Sequence, residues 1–174
     1  IGFNIDAEEA DRLELSLDLL ESLALDPDLK GWDGLGFVVQ AYGKRCPFVI
    51  DWIVDLAKRA DRRIMVRLVK GAYWDAEIKR AQVDGLPDFP VYTPKIYTDV
   101  AYIACARKLL ANRDRIFPQF ATHNAQTLAT IYQMAGPDFA VGDYEFQCLH
   151  GMGEPLYDEV VGATKLNRPC RIYA

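Results

Sequence analysis

The chain has 174 residues, of which 51% are hydrophobic and 26% charged, and this is the size and composition of a single globular domain. No apolar run reaches the ~18 residues of a membrane-spanning helix and no basic-then-apolar leader opens the sequence, so we expect a soluble segment. A net charge of −5 argues against a surface that grips a phosphate backbone, and we predict that this segment binds no nucleic acid.

Short apolar runs alternate with segments of helical periodicity along the whole chain. The apolar runs predict strands at 1–6, 36–42, 64–70, 116–122, 144–149 and 171–174. Apolar residues at helical spacing, with stop signals such as Asp26-Pro27 and Gly136-Pro137, predict helices at 8–25, 48–60, 75–82, 97–110, 125–135 and 155–161. The alternation predicts parallel strands joined by right-handed helical crossovers.

Polar residues fall at or near the carboxyl ends of these strands: Asp6, Gln40, Arg67, Lys70, Thr122, His123, Gln147 and His150. In a closed barrel all carboxyl strand ends meet at one mouth, whereas in an open sheet only those beside the switch point converge. We therefore predict an α/β fold of the (β/α)8 TIM-barrel type. The barrel is partial, because about six of its eight strands are present in the chain.

Two cations, Arg67 and Lys70, interrupt the most apolar of the strand runs just before Gly71. Burial of an unpaired charge costs several kcal/mol, so these side chains need an anionic or strongly polar neighbour. One interpretation pairs Arg67 with a carboxylate on a neighbouring strand and lets Lys70 reach solvent. The other makes both residues part of a binding site at the barrel mouth.

The four cysteines, at positions 46, 105, 148 and 170, lie in apolar surroundings and form no CxxC pair. We predict buried free thiols in a reducing compartment rather than disulfides or a zinc site. A cytoplasmic location follows from that interpretation.

Three chemistries fit the polar strand ends. A metal could use Asp6, His123, Glu145 or His150, but no HxH or HExxH spacing supports it, and we predict no metal site. A Schiff-base lyase could use Lys70 near a strand end. A flavin could use the cations together with Gln40, Gln119, Gln147 and the 122–124 segment, although the chain has no GxGxxG motif. The residues alone leave these alternatives open.

Four long motifs add a resemblance that runs from position 6 to 174. RLVKGAYW at 67–74, FATHN at 120–124, EFQCLHGMGEPLY at 145–157 and RPCRIYA at 168–174 closely resemble the proline dehydrogenase domain of bacterial proline utilisation A proteins. This resemblance implies a distorted eight-stranded β/α barrel. It implies a flavoenzyme that binds FAD, oxidises L-proline to Δ1-pyrroline-5-carboxylate and passes electrons to a membrane quinone.

The same motifs imply roles for individual residues. Arg67 is the expected catalytic residue, because it matches the arginine beside the flavin N5 and would stabilise the charge that forms there. The expected FAD-binding residues are Gln40, Arg67, Lys70, Gly71, Trp74, Thr122, His123, Asn124 and Gln147. The expected borders of the proline pocket are Asp6, Tyr73, Leu149 and Tyr173.

The chain departs from the family pattern at both ends and in one link. We expect the first two barrel strands, and the last helix with its adjacent carboxylate-binding arginines, to lie outside the chain. The link from Tyr157 to Leu166 is shorter than the family pattern, which affects where Tyr173 is placed. We expect the isolated segment neither to fold stably nor to turn over, since it would expose two sheet edges. A non-catalytic barrel remnant is the alternative from a different class.

The resemblance also bears on partners. It implies an aldehyde dehydrogenase domain and, in some members, a DNA-binding domain elsewhere in the parent chain. It further implies a cytoplasmic protein that associates peripherally with the inner membrane to reach its quinone.

Overall fold

The computed structural model describes residues 2–173, in which strands and helices alternate along the chain. The strands are β1 (Phe3–Ile5), β2 (Leu35–Gln40), β3 (Ile64–Val69), β4 (Ile116–Ala121), β5 (Glu145–Leu149) and β6 (Cys170–Tyr173). The helices are α1 (Leu13–Leu25), α2 (Cys46–Arg59), α3 (Trp74–Val83), α4 (Lys95–Ala111), α5 (Ala125–Ala135) and α6 (Glu154–Asp158). The predicted end strands included Ile1 and Ala174, which lie outside the described residues.

Each predicted element is present, with shifts at its ends. The largest shift is at α1, because Ala10–Arg12 form a 3-10 turn and the α-helix begins only at Leu13. Glu8 therefore lies before the helix, where its carbonyl and carboxylate are free to bond other segments. Pro47 occupies the first turn of α2, where its missing N–H costs no helical hydrogen bond.

The six strands form one parallel sheet in the sequential order β1 to β6, which confirms the barrel prediction over a doubly wound sheet. The sheet is strongly curled. The Arg67 guanidinium of β3 lies 4.3 Å from the Tyr173 ring of β6, three strands away. In a flat sheet those strands would be roughly 14 Å apart. The six strands thus form an incomplete, open barrel wall.

Side-chain alternation gives the curled sheet two different faces. The outer face packs on the helices through apolar residues that are almost fully buried: Phe37, Val39, Val66, Leu68, Phe120 and Phe146. The inner face of the same strands carries Arg67, Gln119, Glu145 and Gln147. The hydrophobic core therefore lies between sheet and helices, and the polar groups line the barrel interior.

Two buried tyrosines tie the helices to the carboxyl ends of the strands. The Tyr102 hydroxyl of α4 lies 3.1 Å from the Leu68 carbonyl oxygen and 3.0 Å from that of Ala121, and these oxygens share its hydrogen bond. The Tyr157 hydroxyl of α6 lies 2.7 Å from the Thr122 carbonyl oxygen and 3.1 Å from that of Gln147. Each tyrosine thus spans two adjacent strand ends at the barrel mouth.

The cysteines are free thiols, three of them buried and Cys170 only partly buried. Their sulfurs approach in two pairs at 3.7 Å, Cys46 with Cys105 and Cys148 with Cys170. Burial raises the pKa of Cys170 to about 12, which keeps that thiol protonated. Within residues 2–173, no helix is both long and apolar enough to cross a bilayer.

Candidate functional site

A cavity of about 620 Å³ opens at the carboxyl ends of the strands. Residues from every one of these ends or the loops beyond them line it, as the barrel prediction requires. The sequence-predicted residues that line it are Asp6, Gln40, Arg67, Lys70, Gly71, Tyr73, Thr122, His123, Asn124, Leu149 and Tyr173. Trp74 and Gln147 are the predicted residues that do not.

Arg67 is held rigidly on the inner wall, with 11% of its side chain exposed. Its Nε donates a 2.8 Å hydrogen bond to Gln147 Oε1, and its guanidinium stacks on the Tyr173 ring. Asp6 Oδ1 lies 3.8 Å from Nη1, so the nearest carboxylate comes from β1, two strands away, and not from a neighbouring strand. The result is a fixed cation that faces the cavity.

Lys70 is paired rather than solvated, which differs from the simpler of the two interpretations of its sequence context. Its Nζ lies 2.5 Å from Asp99 Oδ1 of α4, and Lys95 Nζ lies 3.2 Å from Asp99 Oδ2. Hydrogen bonding from Lys70, reinforced by Lys95, lowers the pKa of Asp99. A Schiff-base lysine must present its amine to a substrate carbonyl, whereas the Lys70 Nζ is already engaged by the Asp99 carboxylate.

The Gln40 amide links two segments of the rim. Its Nε2 donates to the Glu8 carbonyl at 2.8 Å, and its Oε1 accepts from the Ala72 N–H at 3.0 Å. Gly71 lies directly beside this link with φ +140°, where a Cβ would come within 2.5 Å of the Tyr42 ring. Only glycine fits that position without displacing the aromatic ring.

The 122–124 segment forms a turn whose side chains are fixed by hydrogen bonds. Thr122 Oγ1 accepts from the Asn124 N–H at 3.1 Å, and Asn124 Oδ1 caps α5 by accepting from the Thr127 N–H at 2.9 Å. His123 Nε2 accepts from the Leu149 N–H at 3.1 Å. In the neutral ring the proton is then on Nδ1, which leaves His123 with one donor for a ligand.

The two predicted residues outside the cavity have other roles. Gln147 is fully buried behind Arg67, and its Nε2 donates to Glu145 Oε1 at 2.7 Å. The Trp74 indole donates to the Tyr92 carbonyl at 2.9 Å on the rim. Their predicted contacts with a cofactor stay predictions.

Sequence reasoning missed Glu8 and Asp99, which bond residues of the cavity rim. It named Glu145 as a possible metal ligand and Gln119 as a possible flavin-binding residue, but not their hydrogen bond to each other in the buried interior network. The period of two along β5 places Glu145 on the same face as Gln147, so that pair was detectable from the sequence. Asp99 carried no such signal, because α4 reaches Lys70 only through the tertiary fold. Across residues 2–173, no three His, Cys, Asp or Glu residues are grouped so as to hold a metal ion.

A second cavity, of about 510 Å³, lies between α4 and α5 and shares Lys70 and Asn124 with the first. Its walls combine apolar side chains of α4 with polar side chains of α5: Ile96, Val100, Ile103, Gln126, Thr127 and Thr130. The two cavities therefore adjoin at these shared residues.

Comparison with known proteins gives a consistent result. A family model described as proline dehydrogenase matches residues 1–174. The bifunctional protein PutA of Rhizobium meliloti is 78% identical over 175 residues, which are all of this chain and 14% of that protein. The bifunctional protein PutA of Escherichia coli K12 is 70% identical over 177 residues, covering all of this chain and 13% of that protein. The chain thus spans about one seventh of the length of these relatives.

Solved structures agree with the sequence matches. A mutant of Bradyrhizobium japonicum proline utilization A superposes with a TM-score of 0.95 at 57% identity, covering 100% of this chain and 18% of the other. Proline utilization A from Bdellovibrio bacteriovorus, inactivated by N-propargylglycine, gives a TM-score of 0.92 at 35% identity over 99% of this chain and 18% of the other.

Proposed function

The chain belongs to the proline dehydrogenase family, and we propose that its barrel mouth oxidises L-proline to Δ1-pyrroline-5-carboxylate with FAD as cofactor and a quinone as electron acceptor. The observation that best supports this proposal is the position of the Arg67 guanidinium, which Gln147 and Tyr173 fix on the inner wall of the larger cavity. A permanent cation placed there favours a ligand that gains negative charge. Reduction of a flavin creates such charge, and the FAD assignment goes beyond the family membership.

The size and the donor set of the site support FAD. A dinucleotide cofactor is long, and two cavities that share the lining residues Lys70 and Asn124 offer adjoining space for its two ends. Lys70, His123 and Thr127 supply a cation and hydrogen-bonding groups to these cavities, without a Rossmann glycine motif. When bound, FAD would supply the hydride acceptor.

The chain's own residues would orient the substrate. The Tyr173 ring and the Leu149 side chain give the cavity an apolar wall suited to a pyrrolidine ring. On the opposite rim, the Tyr73 hydroxyl lies 3.4 Å from Glu8 Oε2, which holds that ring in place. Arg67 holds its positive charge at the cavity, and Asp6 lies close enough to be a second polar neighbour.

The test uses the full-length gene product. We expect it to purify with the visible absorbance of oxidised flavin, and L-proline to bleach that band. Replacement of Arg67 by Met should slow flavin reduction by about 100-fold or more, since one stabilising group at a charged transition state has that effect. Arg107→Met, on the exposed face of α4, removes an equivalent charge outside both cavities and should have no effect. A purified protein that is colourless and cannot be reconstituted with FAD would contradict the proposal.

The Schiff-base alternative has its own test. Borohydride in the presence of a carbonyl substrate would trap an adduct on Lys70 if that residue were a nucleophile. We expect no adduct, because the Lys70 Nζ is held by the Asp99 carboxylate.

We also propose that other parts of a longer chain complete the protein. The relatives are called bifunctional, and the chain spans only 14% of the first of them, which supports an aldehyde dehydrogenase domain elsewhere. Along residues 2–173, β1 and β6 each have one neighbouring strand, which supports two missing barrel strands. Transfer of electrons to a quinone would require a cytoplasmic protein to dock on the membrane surface. Sequencing the gene on both sides of this segment tests the domain proposal.

A further inference from the structure

A buried carboxylate, Glu145, lies behind the arginine of the site. Only 5% of Glu145 is exposed, and its two oxygens accept hydrogen bonds from two other strands, β4 and β6, and from its own strand β5. Oε1 accepts from Gln147 Nε2 (2.7 Å), Gln119 Nε2 (2.9 Å) and Arg171 Nε (2.7 Å), and Oε2 accepts from Arg171 Nη2 (3.0 Å). All of these partners are donors, as an ionised carboxylate requires.

The carboxylate determines which way the Gln147 amide points. Because Glu145 can only accept, it must face the Gln147 NH2 group, and Gln147 Oε1 is then left to face Arg67 Nε at 2.8 Å. The flipped amide would place a donor against the guanidinium and an oxygen against the carboxylate. Both contacts would be repulsive in a fully buried site, so one orientation is strongly preferred.

Arg171 anchors this arrangement from β6. Its bidentate contact with Glu145 fixes the carboxylate plane, and the contact raises the pKa of Arg171. Its side chain is 59% exposed, so Arg171 offsets the buried charge while its outer side remains in solvent. The network therefore runs from the solvent-facing side of β6, through β5, to Arg67 on β3.

We propose that Glu145 is a positioning residue for Arg67. By fixing the Gln147 amide, it holds the guanidinium in place on the wall of the larger cavity, where the proposed reaction would occur. The inference rests on the proposed function, since it assigns a task to Arg67. Glu145 touches neither of the two cavities, and it acts only through Gln147.

The main test is Glu145→Gln in the full-length gene product, with the midpoint potential of bound flavin as the readout. Loss of a buried negative charge alone would make flavin easier to reduce and raise the potential. Displacement of Arg67 removes a nearby cation and lowers it. We expect a lower potential, and a kcat for proline reduced by up to about 100-fold with KM little changed, as for a misplaced catalytic group. Glu159→Gln, which removes an exposed carboxylate paired with Lys165, is the matched control and should leave both values unchanged.

A second variant and a double mutant complete the test. Gln147→Met keeps the side-chain volume but deletes the amide, so it should lower the potential as Glu145→Gln does, even if the latter fails to fold. In an Arg67→Lys background, Glu145→Gln should add little further loss of kcat, because both changes act on one group. A raised or unchanged potential in Gln147→Met, or additive losses in the double mutant, would overturn the inference. Absence of flavin from the wild-type protein would instead overturn the proposed function.

Discussion

Tyr42 is an unusual single residue beside the site. It is 5% exposed, its ring packs under Gly71, and its hydroxyl has no hydrogen-bond partner among the described residues. Burial, and next the nearby Glu77 carboxylate, raise the pKa of Tyr42 to about 12. The phenol is therefore held neutral in the folded protein at pH values where an unfolded chain already loses the proton.

This raised pKa predicts that Tyr42 lowers the stability of the folded protein at alkaline pH. Between pH 10 and about 12 the unfolded state ionises Tyr42 while the folded state does not, so stability falls by up to about 1.4 kcal/mol per pH unit. Below pH 10 the contribution is fully present. We expect the free energy of unfolding of Tyr42→Phe to be close to that of the wild type at pH 7. From pH 10 to 11.5 the variant should become increasingly more stable than the wild type. Urea unfolding of the full-length protein, followed by flavin release, measures this; parallel pH profiles would contradict it.

The helices and strands cooperate at the barrel mouth through Tyr102 and Tyr157. Each hydroxyl reaches two backbone carbonyls on adjacent strand ends, so each tyrosine fixes the spacing of the strands that carry site residues. Without such a contact, neighbouring strands can separate at the point where their backbone hydrogen bonding ends. The two helices therefore restrain strand ends whose residues Ala121 and Thr122 line the cavity.

Removal of either hydroxyl is predicted to weaken the fold near the site. Tyr157→Phe and Tyr102→Phe should each lower the free energy of unfolding by about 1 to 2 kcal/mol, because a buried hydrogen bond is lost and its acceptors stay buried. Tyr97→Phe, at a side chain that is 56% exposed on α4, should change it by less than about 0.5 kcal/mol. Thermal unfolding compares the three variants, and equal effects of all three would contradict this reasoning.

The molecule as a whole presents two open strand edges in the described residues. β1 and β6 each pair on one side only, and Phe3 and Ile172 on these edge strands are 56% and 62% exposed. Unpaired parallel edges bearing apolar side chains are templates for association with other chains. In the proposed complete barrel, two further strands would cover both edges.

Residues 1–174 produced alone are therefore expected to self-associate and to lack proline oxidation even with added FAD. Gel filtration and dye binding to exposed apolar surface measure the association. The double variant Phe3→Lys/Ile172→Lys should reduce it by placing charges on the edges. Phe48→Lys, at a residue 73% exposed on α2, should not. A monomeric, flavin-binding segment would contradict the expectation.

Local pattern was sufficient to predict the architecture. Apolar runs, helical spacing and stop signals depend on residues close in sequence, and the parallel sheet follows from their alternation. Its sequential strand order was predicted from the polar residues at the carboxyl ends of all the strands. Boundaries at α1 differed because Ala10–Arg12 take a tighter turn, which no periodicity distinguishes from a helix. The residues gathered at the mouth were predicted from strand ends and from the family resemblance together.

The sequence by itself determined that Arg67 and Lys70 need polar partners, because charges in an apolar strand are costly to bury alone. Only the tertiary structure decided which partners they have. Gln147 lies 80 residues from Arg67, and Asp99 lies 29 residues from Lys70. The curl of the sheet and the packing of α4 bring these groups together. Contacts at such separations depend on the relative placement of whole elements, which local spacing does not encode.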